Sequence, residues 1–310
     1  MTGMMSFSRI CTVRRARLAG VGVLVMIGSM LGGCEWAKGL FPHRPPELTF
    51  APYDKAYASK PDFARLEYHY PLPLSQRALL TPDDLEALDQ EQIDQIYARL
   101  TAGPIPDGPY DGKIVLPRGM SGKLRIAELA GGFAGLALHL KGIEIESLGE
   151  TMWKGKLFDR DERVLRNRIE DLDALKKISL VEGEPRKLAV RGKETWLLFP
   201  AKLYCGQSLL DARRESIIID YFFSDEIDGY QERPDFLAGR RGLRVRDEIR
   251  MVRPGFYLGR AYMDRGFLLN FTLYNEDIAK RGADALAMRS AVQEDCYGGT
   301  QQQSTTAMVK

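Results

Sequence analysis

Histidine is scarce in this chain, with three residues in 310, and each stands apart from any nucleophile motif. His43 lies in a proline-rich stretch, His69 near the start of the body, and His139 in an apolar segment. A hydrolase triad needs a base beside its nucleophile, and Cys205-Gly206-Gln207-Ser208 does not form the Gly-x-Ser-x-Gly turn. No Cys-x-x-Cys or His-Glu-x-x-His pattern occurs, so the usual zinc sites are excluded. Gly119-Met120-Ser121-Gly122-Lys123 is too short for a phosphate loop and continues with Leu124 where Ser or Thr is needed. No cofactor and no metal are expected.

The chain also lacks a long apolar run. The longest, Leu18–Leu31, is uncharged but falls short of the roughly 20 residues that a membrane-spanning helix requires. It suits a signal-peptide core of about 7–15 residues. Arg9, Arg14, Arg15 and Arg17 precede it and no acid occurs in residues 1–33. Leu31-Gly32-Gly33-Cys34 closes it in the manner of a bacterial lipobox, with two small residues before a cysteine whose thiol is the acyl acceptor. The expectation is a signal peptide over 1–33, lipid attachment at Cys34, and a membrane partner held through N-terminal acyl chains. Several chains anchor stably where one is marginal. The resemblance to enterobacterial lipoproteins, in which Asp after the cysteine favours inner-membrane retention, implies with Glu35 the outer membrane, periplasmic face.

A large excess of either charge is missing too. Lys+Arg number 44 against 42 Asp+Glu, and without the four leader arginines the balance is slightly acidic. That gives no global drive toward nucleic acid. Four cysteines occur. Cys11 leaves with the leader and Cys34 is acylated, so Cys205 and Cys296 remain in an oxidising compartment, either as a disulfide or as two separate buried thiols.

Residues 34–75 read as anchor and tether, with Pro42, Pro45, Pro46, Pro52 and Pro61 favouring extended chain. Residues 76–149 read as a helical region. Thr81-Pro82-Asp83-Asp84 is a helix start, and Asp89-Gln90-Glu91-Gln92 has capping-box spacing. Arg125–Leu148 carries apolar residues every three or four positions. Residues 150–297 read as an antiparallel β-domain, and the Gly/Gln/Ser/Thr-rich 298–310 as a disordered tail.

The β-domain is clearest at its end. Arg246–Arg253, Phe256–Met263 and Phe267–Tyr274 are strands separated by short turns, and Pro254-Gly255 is a type II turn signature. Alternation puts Ile249 and Met251 on one face and Glu248, Arg250 and Val252 on the other. The fold class is therefore α+β, an antiparallel β-meander or barrel-like C-terminal domain with an N-terminal helical region.

Asp220 interrupts the apolar run Ile217-Ile218-Ile219, and Arg246-Asp247-Glu248-Ile249-Arg250 alternates charge along one strand. A carboxylate in such a strand is costly unless paired. Three readings fit: a cross-strand ion cluster of Asp220 with Arg250 or Arg246, a polar group orienting a ligand in a cavity, or general acid/base chemistry at Asp220 and Glu248. Asp220, Glu248, Arg250, Tyr257 and Tyr274 form the candidate ligand site, with Tyr257 and Tyr274 lining the cavity.

Trp153-Lys154-Gly155-Lys156-Leu157-Phe158, Ile219-Asp220-Tyr221, and Arg246–Arg250 followed by Pro254-Gly255-Phe256-Tyr257-Leu258-Gly259 together resemble uncharacterised bacterial envelope lipoproteins with a lipocalin-like C-terminal sheet. The resemblance spans residues 150–275, implies a fold and transfers no ligand or catalytic residue. The leading expectation is a lipid-anchored periplasmic protein binding an apolar ligand or an envelope protein. The alternatives are a carboxylate-dependent enzyme on lipid or cell-wall material and a purely structural envelope module.

Overall fold

Pro254-Gly255 begins the architecture at its most legible point. Gly255 adopts φ +74°, the left-handed value that the turn demands, and joins β7 (Val245–Arg253) to β8 (Phe256–Met263). A second tight turn leads to β9 (Gly266–Tyr274). The meander that the alternation predicts is present, with register pairs such as Ile249↔Gly259 and Gly259↔Phe271. The description comes from a computed structural model and covers residues 43–53, 62–118, 152–177, 183, 185–287 and 293–299. The leader, Cys34, the segment 125–148 and residues 300–310 lie outside the described residues. The chain divides after Arg44, and all elements below belong to the unit that begins at Pro45.

The meander continues in both directions until it meets itself. β1 (Gly108–Val115), β2 (Trp153–Asp159), β3 (Val164–Ile169), β5 (Lys193–Gln207) and β6 (Glu215–Asp220) precede β7. The pairing order β1-β2-β3-β5-β6-β7-β8-β9 returns to β1 through β9, closing an eight-stranded antiparallel barrel. A short β4 (Lys187–Val190) folds back on β5 outside the ring. Closure leaves the eight ring strands without a free edge.

β1 corrects the expected boundary. It lies inside the stretch 76–149 read as helical, and the barrel therefore starts at Gly108, not at residue 150. Its sequence, GPYDGKIV, has two glycines and a proline and alternates weakly, because Gly112 and Ile114 share an inward face with Tyr110.

The helical region is present before it but starts earlier than expected: helices begin at Phe63, inside the stretch 34–75 read as tether, because Leu66 packs there with Ala51 and Ala98. α1 (Phe63–His69), α2 (Leu74–Leu79), α3 (Pro82–Glu86) and α4 (Gln90–Ala98) follow one another. The Thr81/Asp84 and Asp89/Gln92 capping boxes both form. Ile93, Ile96 and Tyr97 of α4 pack with Leu80 and Leu85 of the neighbouring helical segments and with Val252, Phe256 and Leu258 on the outer wall of β7 and β8. Those two strands are consequently buried on both faces. A last helix, α5 (Glu276–Ala287), follows β9. No helix among the described residues is long and apolar enough to cross a membrane.

The inner face holds the main core: Tyr110, Phe158, Leu165, Leu203, Ile217, Ile219, Ile249, Met251, Tyr257, Phe271 and Leu273. Gly259 is required there. A Cβ at its position would come within 2.2–2.7 Å of three Phe271 ring atoms, so the ring packs directly on the glycine backbone.

Candidate functional site

A ligand site in a small barrel is built from a few polar groups placed among apolar walls. The inner faces of β2, β3, β6 and β7 supply such a set. The alternation that puts Phe158 inward also puts Lys156 inward, and its side chain is only 3% exposed. From β7, Asp247 turns inward with Ile249 and Met251. Asn167 comes from β3 and Tyr221 from the residue after β6.

These side chains form one network. Lys156 Nζ donates to Tyr221 Oη at 2.6 Å, to Asn167 Oδ1 at 2.9 Å and to Asp247 Oδ2 at 3.0 Å. All three ammonium hydrogens are thereby used. Tyr221 donates to Asp247 Oδ2 at 3.3 Å. Asn167 Nδ2 donates to Tyr221 Oη at 3.0 Å and to the Phe199 carbonyl at 3.1 Å, while Trp153 Nε1 donates to Asn167 Oδ1 at 2.9 Å. The rings of Trp153, Tyr221 and Phe271 stand 5.3–5.5 Å from the ammonium.

The backbone is adapted to hold these groups. The β3–β5 register shifts between Leu165 and Asn167, and across from it Phe199 takes φ +50°, an uncommon state for an aromatic residue. Bulges of this kind re-aim a side chain. The Phe199 N–H donates to Asp235 Oδ1 at 2.7 Å, fixing the bend from outside the network.

Electrostatics follow burial. Desolvation lowers the Lys156 pKa from its ordinary value, and the charge and hydrogen bond of Asp247 oppose it. The Tyr221 hydroxyl is pushed well above its ordinary value, by burial first and then by Asp247. The cluster is a neutral cation–anion pair with a hydroxyl, an amide and an indole N–H around it.

The five residues proposed from sequence do not form one site. Tyr257 faces inward, its ring edge-on to Tyr110 and its hydroxyl donating to the Pro104 carbonyl at 2.6 Å. Tyr274 pairs opposite Phe256, one register step from Tyr257, and so packs against Phe256 on the outer wall. The expected Tyr257–Tyr274 cavity is thereby corrected: the two rings lie on opposite sides of the sheet.

Asp220, Glu248 and Arg250 also face outward. Asp220 accepts from the Tyr204 hydroxyl at 2.6 Å and from the Phe222 N–H at 2.9 Å. The expected ion cluster does not form around it. Arg246 lies opposite in register but is drawn to Glu248 and the Gln207 carbonyl. Arg250 is four residues further along β7, roughly 13 Å at the rise of an extended strand. Its five guanidinium bonds go to Ser216, the Tyr97, Asp211 and Arg214 carbonyls, and the Asp211 carboxylate at 3.2 Å. Glu248 is fully buried, accepting from the Leu209 N–H at 2.8 Å. A solvent-open pair of carboxylates at Asp220 and Glu248, as the enzyme reading required, is not what these contacts describe.

Cys205 and Cys296 are joined as a disulfide, with Cα atoms 5.4 Å apart. Glu215 lies beside them, but the sulfurs are bonded to each other and offer no thiolate pair to a metal. The bridge ties residues 293–297 to β5. Within that segment Glu294 accepts from the Gly103 N–H and Asp295 from the Ile105 N–H, at 2.7 and 2.8 Å. The loop that they hold packs Ala102 and Ile105 into the inner core.

No protein-family model, no curated protein and no solved structure matches this chain.

Proposed function

We propose that the protein is a lipid-anchored binding protein of the bacterial envelope, acylated at Cys34, held at the periplasmic face of the outer membrane, and taking an apolar ligand with a polar head inside its barrel. The observation that carries the reading is the Lys156–Asp247–Tyr221–Asn167 cluster buried among aromatic rings on the inner face. A buried ion pair is weak support for stability, because apolar replacements of similar volume are often as stable. A head-group contact gives the cluster a use. The aromatic and aliphatic inner wall suits the apolar part of the ligand.

The test is native mass spectrometry of the full-length protein extracted in detergent, followed by solvent extraction of what it carries. The expected result is one small apolar molecule per chain, absent from a Lys156→Met variant that still folds. A bare wild-type protein that also takes up no added long-chain alcohol would contradict the reading. The same spectra weigh the N-terminus, where an acylated Cys34 is expected and an unmodified residue would remove the anchor.

A further inference from the structure

The Lys156–Asp247 pair is already neutral, which restricts what head group can join it. A free carboxylate or phosphate would leave a net, unpaired negative charge in a low-dielectric interior, which burial strongly disfavours. The head is therefore uncharged. An aldehyde is an uncharged head whose carbonyl condenses with an amine.

We propose that Lys156 forms an imine with a hydrophobic aldehyde, with Asp247 as the counter-ion of the product. This rests on the binding reading above and names its ligand class. Each group the addition needs touches Nζ. Asp247, at 3.0 Å, takes a proton from the ammonium, and the freed lone pair attacks the carbonyl carbon. Tyr221, at 2.6 Å, delivers a proton to the carbonyl oxygen as the C–N bond forms. The carbinolamine nitrogen then returns a proton to the Tyr221 phenolate, and the hydroxyl leaves as water with the proton held by Asp247. The balance is aldehyde plus lysine ammonium giving protonated imine plus water. Charge is the same on both sides, so the product keeps its pairing with Asp247, and no oxidant or reductant enters.

Two further observations support the assignment. Burial lowers the lysine pKa, raising the fraction of nucleophilic amine. Lys113, Lys187, Lys202 and Lys280 hold ion pairs with 38–61% of their side chains exposed. An imine at such positions stands in water and hydrolyses, whereas one at Lys156 is enclosed by Trp153, Tyr221 and Phe271.

The experiment incubates the full-length, detergent-extracted protein with dodecanal and sodium cyanoborohydride, then maps alkylated peptides by mass spectrometry. Dodecanol, which has the chain but no carbonyl, is run in parallel by native mass spectrometry. The expected result is one adduct per chain on the Lys156 peptide, and labelling slowed at least about a hundredfold in Tyr221→Phe, the low end for a lost proton donor. Adducts spread over exposed lysines with Lys156 unmodified, while dodecanol is retained, would overturn the imine and leave the binding reading standing. Retention of neither compound would overturn both. The wild-type peptide map decides the matter even if Lys156 variants fail to fold.

Discussion

Asp247 and Glu248 are adjacent on β7 and face opposite sides of the barrel wall: Asp247 meets Lys156 Nζ at 3.0 Å inside, and Glu248 accepts the Leu209 N–H outside. One strand thus carries two buried acids in two unrelated environments. The inner acid belongs to a hydrogen-bonded cluster among aromatic rings, and the outer one to the packing between the barrel and its N-terminal and loop segments.

The inner pair sets the first expectation. Asp247→Ala leaves the Lys156 ammonium buried without its counter-charge, and stability should fall by about 3–5 kcal/mol. The double variant Lys156→Met/Asp247→Leu should recover most of that loss. Urea unfolding of the three proteins measures it. A single variant within about 0.5 kcal/mol of wild type would place Asp247 in solvent.

The β7–β8 turn sets the second. Gly255 has φ +74°, and a Cβ there would meet the Ala279 nitrogen at 2.5 Å and the Asn275 oxygen at 2.7 Å. Gly255→Val should cost at least ~1–3 kcal/mol from the backbone state alone. Gly266→Ala, whose nearest neighbour would be the Met263 oxygen at 3.5 Å, should be tolerated. Thermal melts compare the two, and equal melting temperatures would show that the turn is misread.

The disulfide sets the third. Cys205 and Cys296 close a loop with a sequence separation of 91 residues. Replacing both with Ala should lower stability by about 2–5 kcal/mol. Amide exchange should show residues 293–297 and the Thr101–Ile105 loop losing protection together, since Glu294 and Asp295 bind that loop's backbone. Protection lost in only one of them would break the link.

Acid titration sets the fourth. Burial raises the Asp211 pKa, but its hydrogen bond from Arg213 and the charges of Arg250 and Arg213 outweigh it and hold the group below its ordinary value. The unfolded state therefore binds the proton first, so this stabilisation is complete above about pH 4 and is lost as pH falls through the folded pKa. Asp211→Asn should flatten the decline of the urea midpoint below about pH 4. An unchanged slope would mean that Asp211 titrates alike in both states.

Much of the barrel is legible in the sequence because its last three strands alternate cleanly and its turns carry Pro-Gly and Asp-Arg-Gly signals. β1 is hidden because its inward glycine provides space, not apolar character. The candidate site is hidden for a different reason. Asp220 stands out among isoleucines, while Tyr221 beside it looks like ordinary core; yet Ile217, Ile219 and Tyr221 share the inner face and Asp220 does not. The same parity places Asp247 with Ile249 and Met251. Alternation contains that signal, but only barrel closure brings Lys156 across to Asp247 and Tyr221. The outer cluster of Arg250 with Asp211 depends on a loop contact that no local pattern encodes.

A ligand head at Lys156 would be reported directly by Trp153, because its indole N–H donates to Asn167 beside the ammonium. With Trp36 and Trp196 replaced by Phe, Trp153 is the sole tryptophan. Titration with a long-chain alcohol brominated next to its hydroxyl should quench that fluorescence saturably, at one molecule per chain, and Lys156→Met should abolish the effect. Quenching that is absent, or linear and unchanged in Lys156→Met, would contradict a binding site inside the barrel.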